Sequence, residues 1–99
     1  MLKNFQTYQL AVALYKACEK LKLYGPLREQ LRRATASIAL NLAEGSAKPT
    51  SKDRSKYYHI ALGSIREVQS IMDLIENKEL ATQTDQLAAT CYCLCRSYR

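Results

Sequence analysis

Gln30-Leu31-Arg32-Arg33-Ala34-Thr35-Ala36-Ser37-Ile38-Ala39-Leu40-Asn41-Leu42-Ala43-Glu44-Gly45 is the stretch whose periodicity decides the fold. At about 100° per residue, Leu27, Leu31, Ala34, Ile38 and Leu42 share one arc, the spacing of an amphipathic helix packed on a core. Both flanks of that arc are unusual. On one side Ala36, Ala39 and Ala43 are small enough to let another backbone come close. On the other, Gln30, Arg33, Ser37, Asn41 and Glu44 place hydrogen-bonding groups beside the core rather than opposite it.

Outward from this helix the same period continues. Upstream, Phe5, Tyr8, Val12, Tyr15 and Cys18 recur at helical spacing beside Leu10, Leu14 and Leu21, so a first helix is predicted from Phe5 to Leu23 with Asn4 as its cap. Tyr24-Gly25-Pro26 makes a tight joint, and Pro26 suits the first position of helix two, predicted to run to Glu44 with Gly45 as its C-terminal cap residue. Gly45 to Ser51 is turn-rich, and Thr50 with Asp53 three residues on is a cap-like pair opening helix three. That helix is expected over Ser51 to Glu76, with Tyr58, Leu62, Ile65, Met72 and Ile75 on one face and Asn77 ending it. Thr84 or Asp85 then caps a fourth helix carrying Leu87, Ala88, Cys91, Leu94, Cys95 and Tyr98. Short joints force neighbouring helices to run antiparallel. The expectation is an all-α single domain over residues 1–99, an antiparallel up-down-up-down four-helix bundle.

Helix three repeats the anomaly of helix two. Ser64 and Glu67 fall in the stripe Ile60, Ser64, Glu67, Ile71, Leu74, where a core would call for apolar residues, and Gly63 sits mid-helix at a cost of about 1 kcal/mol relative to alanine. A carboxylate in a core stripe must be paired or hydrogen-bonded. The sequence therefore predicts a structural polar network of Arg33, Ser37, Asn41, Glu44, Ser64 and Glu67. A catalytic pairing of Glu44 with Glu67 is the competing reading, and it lacks an accompanying nucleophile, metal-ligand set or phosphate loop.

Composition excludes several classes of protein. With 99 residues, 47% hydrophobic and 24% charged, the chain has the make-up of one ordinary globular domain. Its longest uncharged run, Asn4 to Tyr15, is far short of the ~20 apolar residues of a membrane-spanning helix. That run carries polar residues throughout and no small-residue cleavage site, so a cytoplasmic location is expected. Of Cys18, Cys91, Cys93 and Cys95, the last three are clustered, and His59 is the sole histidine. A tetrahedral metal site lacks its fourth ligand, and the cysteines read as small buried apolar residues, with no cofactor expected.

Gln30-Leu31-Arg32-Arg33-Ala34, Ser37-Ile38 and Asn41-Leu42-Ala43-Glu44-Gly45 resemble the Q-x-R-R-A-x-x-S-I-x-x-N-x-A-E-G segment of the 23S rRNA intervening-sequence proteins, the four-helix-bundle protein family. Ile60-Ala61-Leu62-Gly63-Ser64 with Glu67 is similar to that family's I-A-L-G-S-x-x-E. The two segments span about 40 residues in the right order. The resemblance implies a cytoplasmic, non-enzymatic antiparallel bundle, encoded in some bacteria within an insertion in a large-subunit rRNA gene and assembled as a homopentamer. The accessory proteins of diversity-generating retroelements are related in architecture and work with a reverse transcriptase.

Net charge gives the partner expectation. Fifteen Lys and Arg against nine Asp and Glu leave +6, of which +5 falls in residues 1–50, and such an excess favours polyanionic partners. Arg28, Arg32, Lys48, Lys52, Arg54 and Lys56 are the expected nucleic-acid-binding residues, with Tyr57 and Tyr58 able to stack on unpaired bases. The expected function is a non-enzymatic oligomeric module binding RNA or DNA. The alternative is a protein-binding scaffold or accessory subunit of a reverse transcriptase or retroelement system, with Leu40 and the alanine flank as interface. His59 has no positioned catalytic partner that sequence identifies.

Overall fold

The computed structural model describes residues 2–98. A 3-10 turn, Leu2–Asn4, leads into α1 (Gln6–Glu19), α2 (Pro26–Ser46), α3 (Ser51–Ile75) and α4 (Lys78–Ser97), and no strand occurs among the described residues. Contacts across each joint fix the directions. Arg32 bonds Glu19 between α1 and α2, while Ala39 and Ala36 share a groove with Val12 and Tyr15. Ser37 meets Ser64, and Gly45 lies against Tyr58, between α2 and α3. Gln69 bonds Asp85, and Arg54 bonds Tyr98, between α3 and α4. In every pair residue numbers rise on one helix as they fall on the other, so consecutive helices are antiparallel. Packing of α1 on α4 closes the ring of helices, which measures 40 × 22 × 18 Å.

The core is the one the 3.6 period selects. Leu31, Ala34, Ile38 and Leu42 from α2 meet Leu14 and Cys18 from α1, Ile65, Val68 and Met72 from α3, and Leu87, Cys91 and Cys95 from α4, all buried. Two buried threonines are satisfied locally: the Thr35 hydroxyl donates to the Leu31 carbonyl at 2.9 Å and Thr84 to that of Leu80 at 2.6 Å. Burial pushes the Cys91 thiol up to about 12 and, with Glu19 nearby, that of Cys18 up to about 11. Cys93 alone of the four cysteines is exposed.

Several element boundaries differ from the sequence expectation. Helix α1 ends at Glu19 rather than Leu23, because Arg28 donates to the carbonyls of Leu21 and Leu23 and holds that segment outside the helix. At its start Phe5, not Asn4, is the cap residue, with no side-chain bond. Helix α2 continues through Gly45 to Ser46, so Gly45 is no cap. It is the point of closest approach to α3, where an added Cβ would sit 2.7 Å from a ring carbon of buried Tyr58. Thr50 does cap α3, accepting from the Asp53 amide at 3.1 Å. Helix α3 ends at left-handed Glu76 (φ 56°), and Asn77 opens α4 by accepting from the Leu80 amide at 2.9 Å, so α4 starts well before Thr84.

Candidate nucleic-acid interface

The six basic residues singled out in the sequence do not form one patch. Helix α2, 21 residues and so about 30 Å long, carries Arg28 and Arg32 near its start and Lys48 just past its end, so they mark opposite poles of the bundle. Arg32 is bound to Glu19 through two hydrogen bonds of 3.1 and 3.2 Å, which hold the Glu19 carboxyl below its usual range. Arg28 is engaged with two loop carbonyls. At this pole Lys20, Lys22 and Lys78 alternate with Glu29, Asp73, Glu76 and Glu79, so the field of its cations is largely cancelled.

The pole at the α2–α3 joint is different. Lys48, Lys52, Arg54 and Lys56 gather there, Lys3 and Arg96 join them from the two ends of the chain, and Glu44 and Asp53 are the only acids nearby among the described residues. Lys48 pairs with Glu44 at 3.1 Å, which holds its ammonium above the ordinary lysine range. Half-buried Tyr57 lies between two cations, with Lys48 Nζ 5.2 Å and Lys56 Nζ 5.9 Å from its ring centroid. Arg54 serves the fold. Its Nε donates to the Lys48 carbonyl at 2.7 Å, and its guanidinium lies 5.7 Å from the Tyr98 ring.

Tyr58 is not a stacking residue. It is 2% exposed and packs edge-on between Phe5 and Tyr98, with centroids 6.1 and 5.4 Å away. Tyr57 is the aromatic side chain this pole presents. Sequence reasoning missed Lys3 and Arg96, which no local pattern ties to the loop. It missed Tyr98 as well, read only as the last residue of an apolar face.

The expected polar network is also smaller than predicted. Ser37 and Ser64 hydroxyls are 2.9 Å apart, and Asn41 Nδ2 donates to the Ser37 carbonyl at 2.8 Å and its hydroxyl at 3.1 Å. Arg33 and Glu44 are exposed, and neither Arg33 nor Glu67 makes a salt bridge or side-chain hydrogen bond among the described residues. Of the stripe Ile60, Ser64, Glu67, Ile71 and Leu74 only Ile71 is buried, Ile60 being 43% and Leu74 72% exposed, while the face expected from Tyr58, Leu62, Ile65, Met72 and Ile75 does pack on the core together with Ala61 and Val68. Glu67 is half-buried rather than buried, so its carboxylate keeps contact with water and needs no buried partner.

The arrangement defines a class: an antiparallel four-helix bundle with a basic pole at the α2–α3 joint, a charge-balanced pole at the α1–α2 joint, and a short hydroxyl and amide seam between α2 and α3. Its membership is specific. The chain belongs to the 23S rRNA-intervening sequence protein family, whose model matches residues 3–97. Comparison with curated proteins finds no matching sequence. No helix is long and apolar enough to cross a membrane among the described residues.

Proposed function

We propose that this protein is a non-enzymatic, homo-oligomeric module, a pentamer by family resemblance, that binds structured RNA or DNA through the pole at the α2–α3 joint. The observation that carries the reading is the pair of cations, Lys48 and Lys56, on either side of Tyr57, with Lys52, Lys3 and Arg96 at the same end of the bundle and Glu44 and Asp53 the only acids nearby among the described residues. Lysines on flexible stems meet phosphates as point charges and carry no base information, so binding is tolerant of sequence and steep in salt. Repetition of the pole around an oligomer multiplies weak contacts through effective concentration. The family's description ties its members to intervening sequences of 23S rRNA, which supports this choice of ligand. Fluorescence anisotropy on a labelled stem-loop RNA from about 0.05 to 0.2 M salt tests it: log affinity falls with log salt at 0.7 to 0.9 per phosphate contacted. Absence of binding at the low-salt end ends the nucleic-acid reading.

An accessory subunit that binds a protein, such as the reverse transcriptase of a retroelement, is the second reading. It is favoured by Leu40, Ile60 and Leu74, large apolar side chains left 68, 43 and 72% exposed.

A further inference from the structure

His59 and Tyr92 take no part in the site described above, and the fold brings them together. They line a groove of about 250 Å³ between α3 and α4, floored by half-buried Leu62 and buried Cys95, with exposed Arg96 on its margin and no acid among its lining residues. Tyr92 is 49% exposed, and the Arg96 guanidinium lies 5.9 Å from its ring centroid. A tyrosine that reaches solvent beside a cation therefore occurs twice at this end of the bundle, at Tyr57 and at Tyr92. His59 adds a hydrogen-bonding group. Its Nδ1 lies 2.8 Å from the Ser55 carbonyl, which can only accept, so Nδ1 carries a proton and Nε2 is left without a partner among the described residues.

Helix α3 links the two tyrosines. Lys52, Lys56 and His59 follow one another at i, i+4 and i+7, a single exposed stripe. Tyr57 lies on the α2 side of that stripe, where it adjoins Gly45, and Leu62 on the α4 side. The flanks stand apart by the width of one helix, about 10 to 12 Å. About three stacked nucleotides span that distance at ~3.4 Å each, and their phosphates would cross Lys52 and Lys56, which make no salt bridge among the described residues. The groove's size and rim select what enters it. A base inside a duplex has both faces covered and does not fit so small a recess. An unpaired base offers one face to the phenol ring of Tyr92 and its edge to His59 Nε2 and Arg96. An apolar side chain of a partner protein would meet Leu62 but gain nothing from the two polar groups on the rim.

We infer that the α3–α4 groove takes an unpaired base, stacked on Tyr92 with His59 and Arg96 at its edge, from a strand whose phosphates cross Lys52 and Lys56. The inference rests on the nucleic-acid reading proposed above and narrows its ligand to RNA or DNA with a single-stranded stretch, and the experiment separates the two. Fluorescence anisotropy at low salt compares a labelled single-stranded RNA with a blunt RNA duplex of the same length. It is run on the parent chain, Tyr92→Leu, Tyr92→Phe and Tyr24→Leu, with circular dichroism on each. Tyr92→Leu is expected to weaken single-strand binding by about 5- to 150-fold, the range set by one stacked base, and to leave duplex binding and the salt slope unchanged. Tyr92→Phe, which keeps a ring, and Tyr24→Leu, at the opposite pole, should bind both probes as the parent does. A single strand carrying 2-aminopurine gives a direct signal: its fluorescence falls on stacking, and at saturation should fall further on the parent than on Tyr92→Leu. A Tyr92→Leu chain that matches the parent in single-strand binding and in that signal, or that loses both probes equally, overturns the groove and leaves the basic pole standing. A parent that binds neither probe removes the nucleic-acid reading and this inference with it.

Discussion

The two poles of the bundle hold similar numbers of basic side chains and put them to different uses. At the α1–α2 joint, arginines bond to the chain itself: Arg28 to the carbonyls of Leu21 and Leu23, Arg32 to Glu19. At the α2–α3 joint, Lys52 and Lys56 make no hydrogen bond or salt bridge among the described residues, and Arg54 alone serves the fold. Guanidinium has a planar fork of donors suited to fixed geometry, whereas ammonium is a mobile, strongly hydrated charge. Counting cations along a sequence conceals this difference. What separates the two poles is that one has its arginines satisfied and its lysines interleaved with acids, while the other carries Lys52 and Lys56 unpaired with few acids beside them.

The largest expected effect tests that contrast directly. Replacing Lys48, Lys52 and Lys56 together by Glu should abolish RNA binding at low salt and remove about two to three from the slope of log affinity against log salt, with helicity unchanged. The same reversal at Arg28 and Arg32 should leave the slope near the parent's and loosen the α1–α2 joint. Equal loss of binding from both sets would erase the distinction between poles.

Each pole also depends on one glycine, for opposite reasons. Gly45→Ala drives a methyl group into Tyr58, at 2.7 Å, and should cost about 2 to 3 kcal/mol by denaturant unfolding, as overpacking of a filled core does. Gly25 has open space around it but sits at φ 75° and ψ −155° as the cap of α2, a conformation nearly confined to glycine. Gly25→Ala should therefore cost about 1 to 2 kcal/mol through backbone strain alone. A larger loss at Gly25 than at Gly45 would show that the α1–α2 joint, not the Tyr58 contact, is the tighter constraint.

The smallest effect concerns the Arg32–Glu19 pair. Hydrogen bonding from Arg32 lowers the Glu19 pKa on folding, so its contribution is present above the ordinary carboxylate range and is lost as pH falls through the depressed folded value. Both groups are solvated, so Glu19→Gln should barely move the melting temperature at neutral pH and should flatten the acid limb slightly. A large shift at neutral pH would make this pair a structural lock.

Legibility of the sequence followed the strength of each physical signal. The four helices and the core positions Leu31, Ala34, Ile38 and Leu42 were readable because burial imposes a period on them. Thr50 was readable as a cap because its partner is three residues away. On α3 the packed face Tyr58, Leu62, Ile65, Met72 and Ile75 was readable too, whereas Ile60, Glu67 and Leu74 share a helical spacing with buried Ile71 and so imitate a core stripe that the structure leaves half or fully exposed. Arg28 and Arg32 were grouped with Lys48 by nearness in sequence, though a straight helix carries them apart by its full length. Lys3 and Arg96 were missed for the converse reason: the fold brings together residues that no window along the chain contains.

The two-residue joint at Glu76 and Asn77, like the short joints before it, has a kinetic consequence. Each helix finds its partner in the segment just made, so three of the four inter-helix contacts close small loops, and only the packing of α1 on α4 joins the ends of the chain. Loop-closure entropy is then slight for most of the structure, and folding within microseconds to milliseconds is expected for such local topology. Docking of α1 against α4 is the step with the longest loop to close. In hydrogen exchange, that seam should open at a lower free energy than the α2–α3 hairpin, whose helices share the most extensive packing in the molecule.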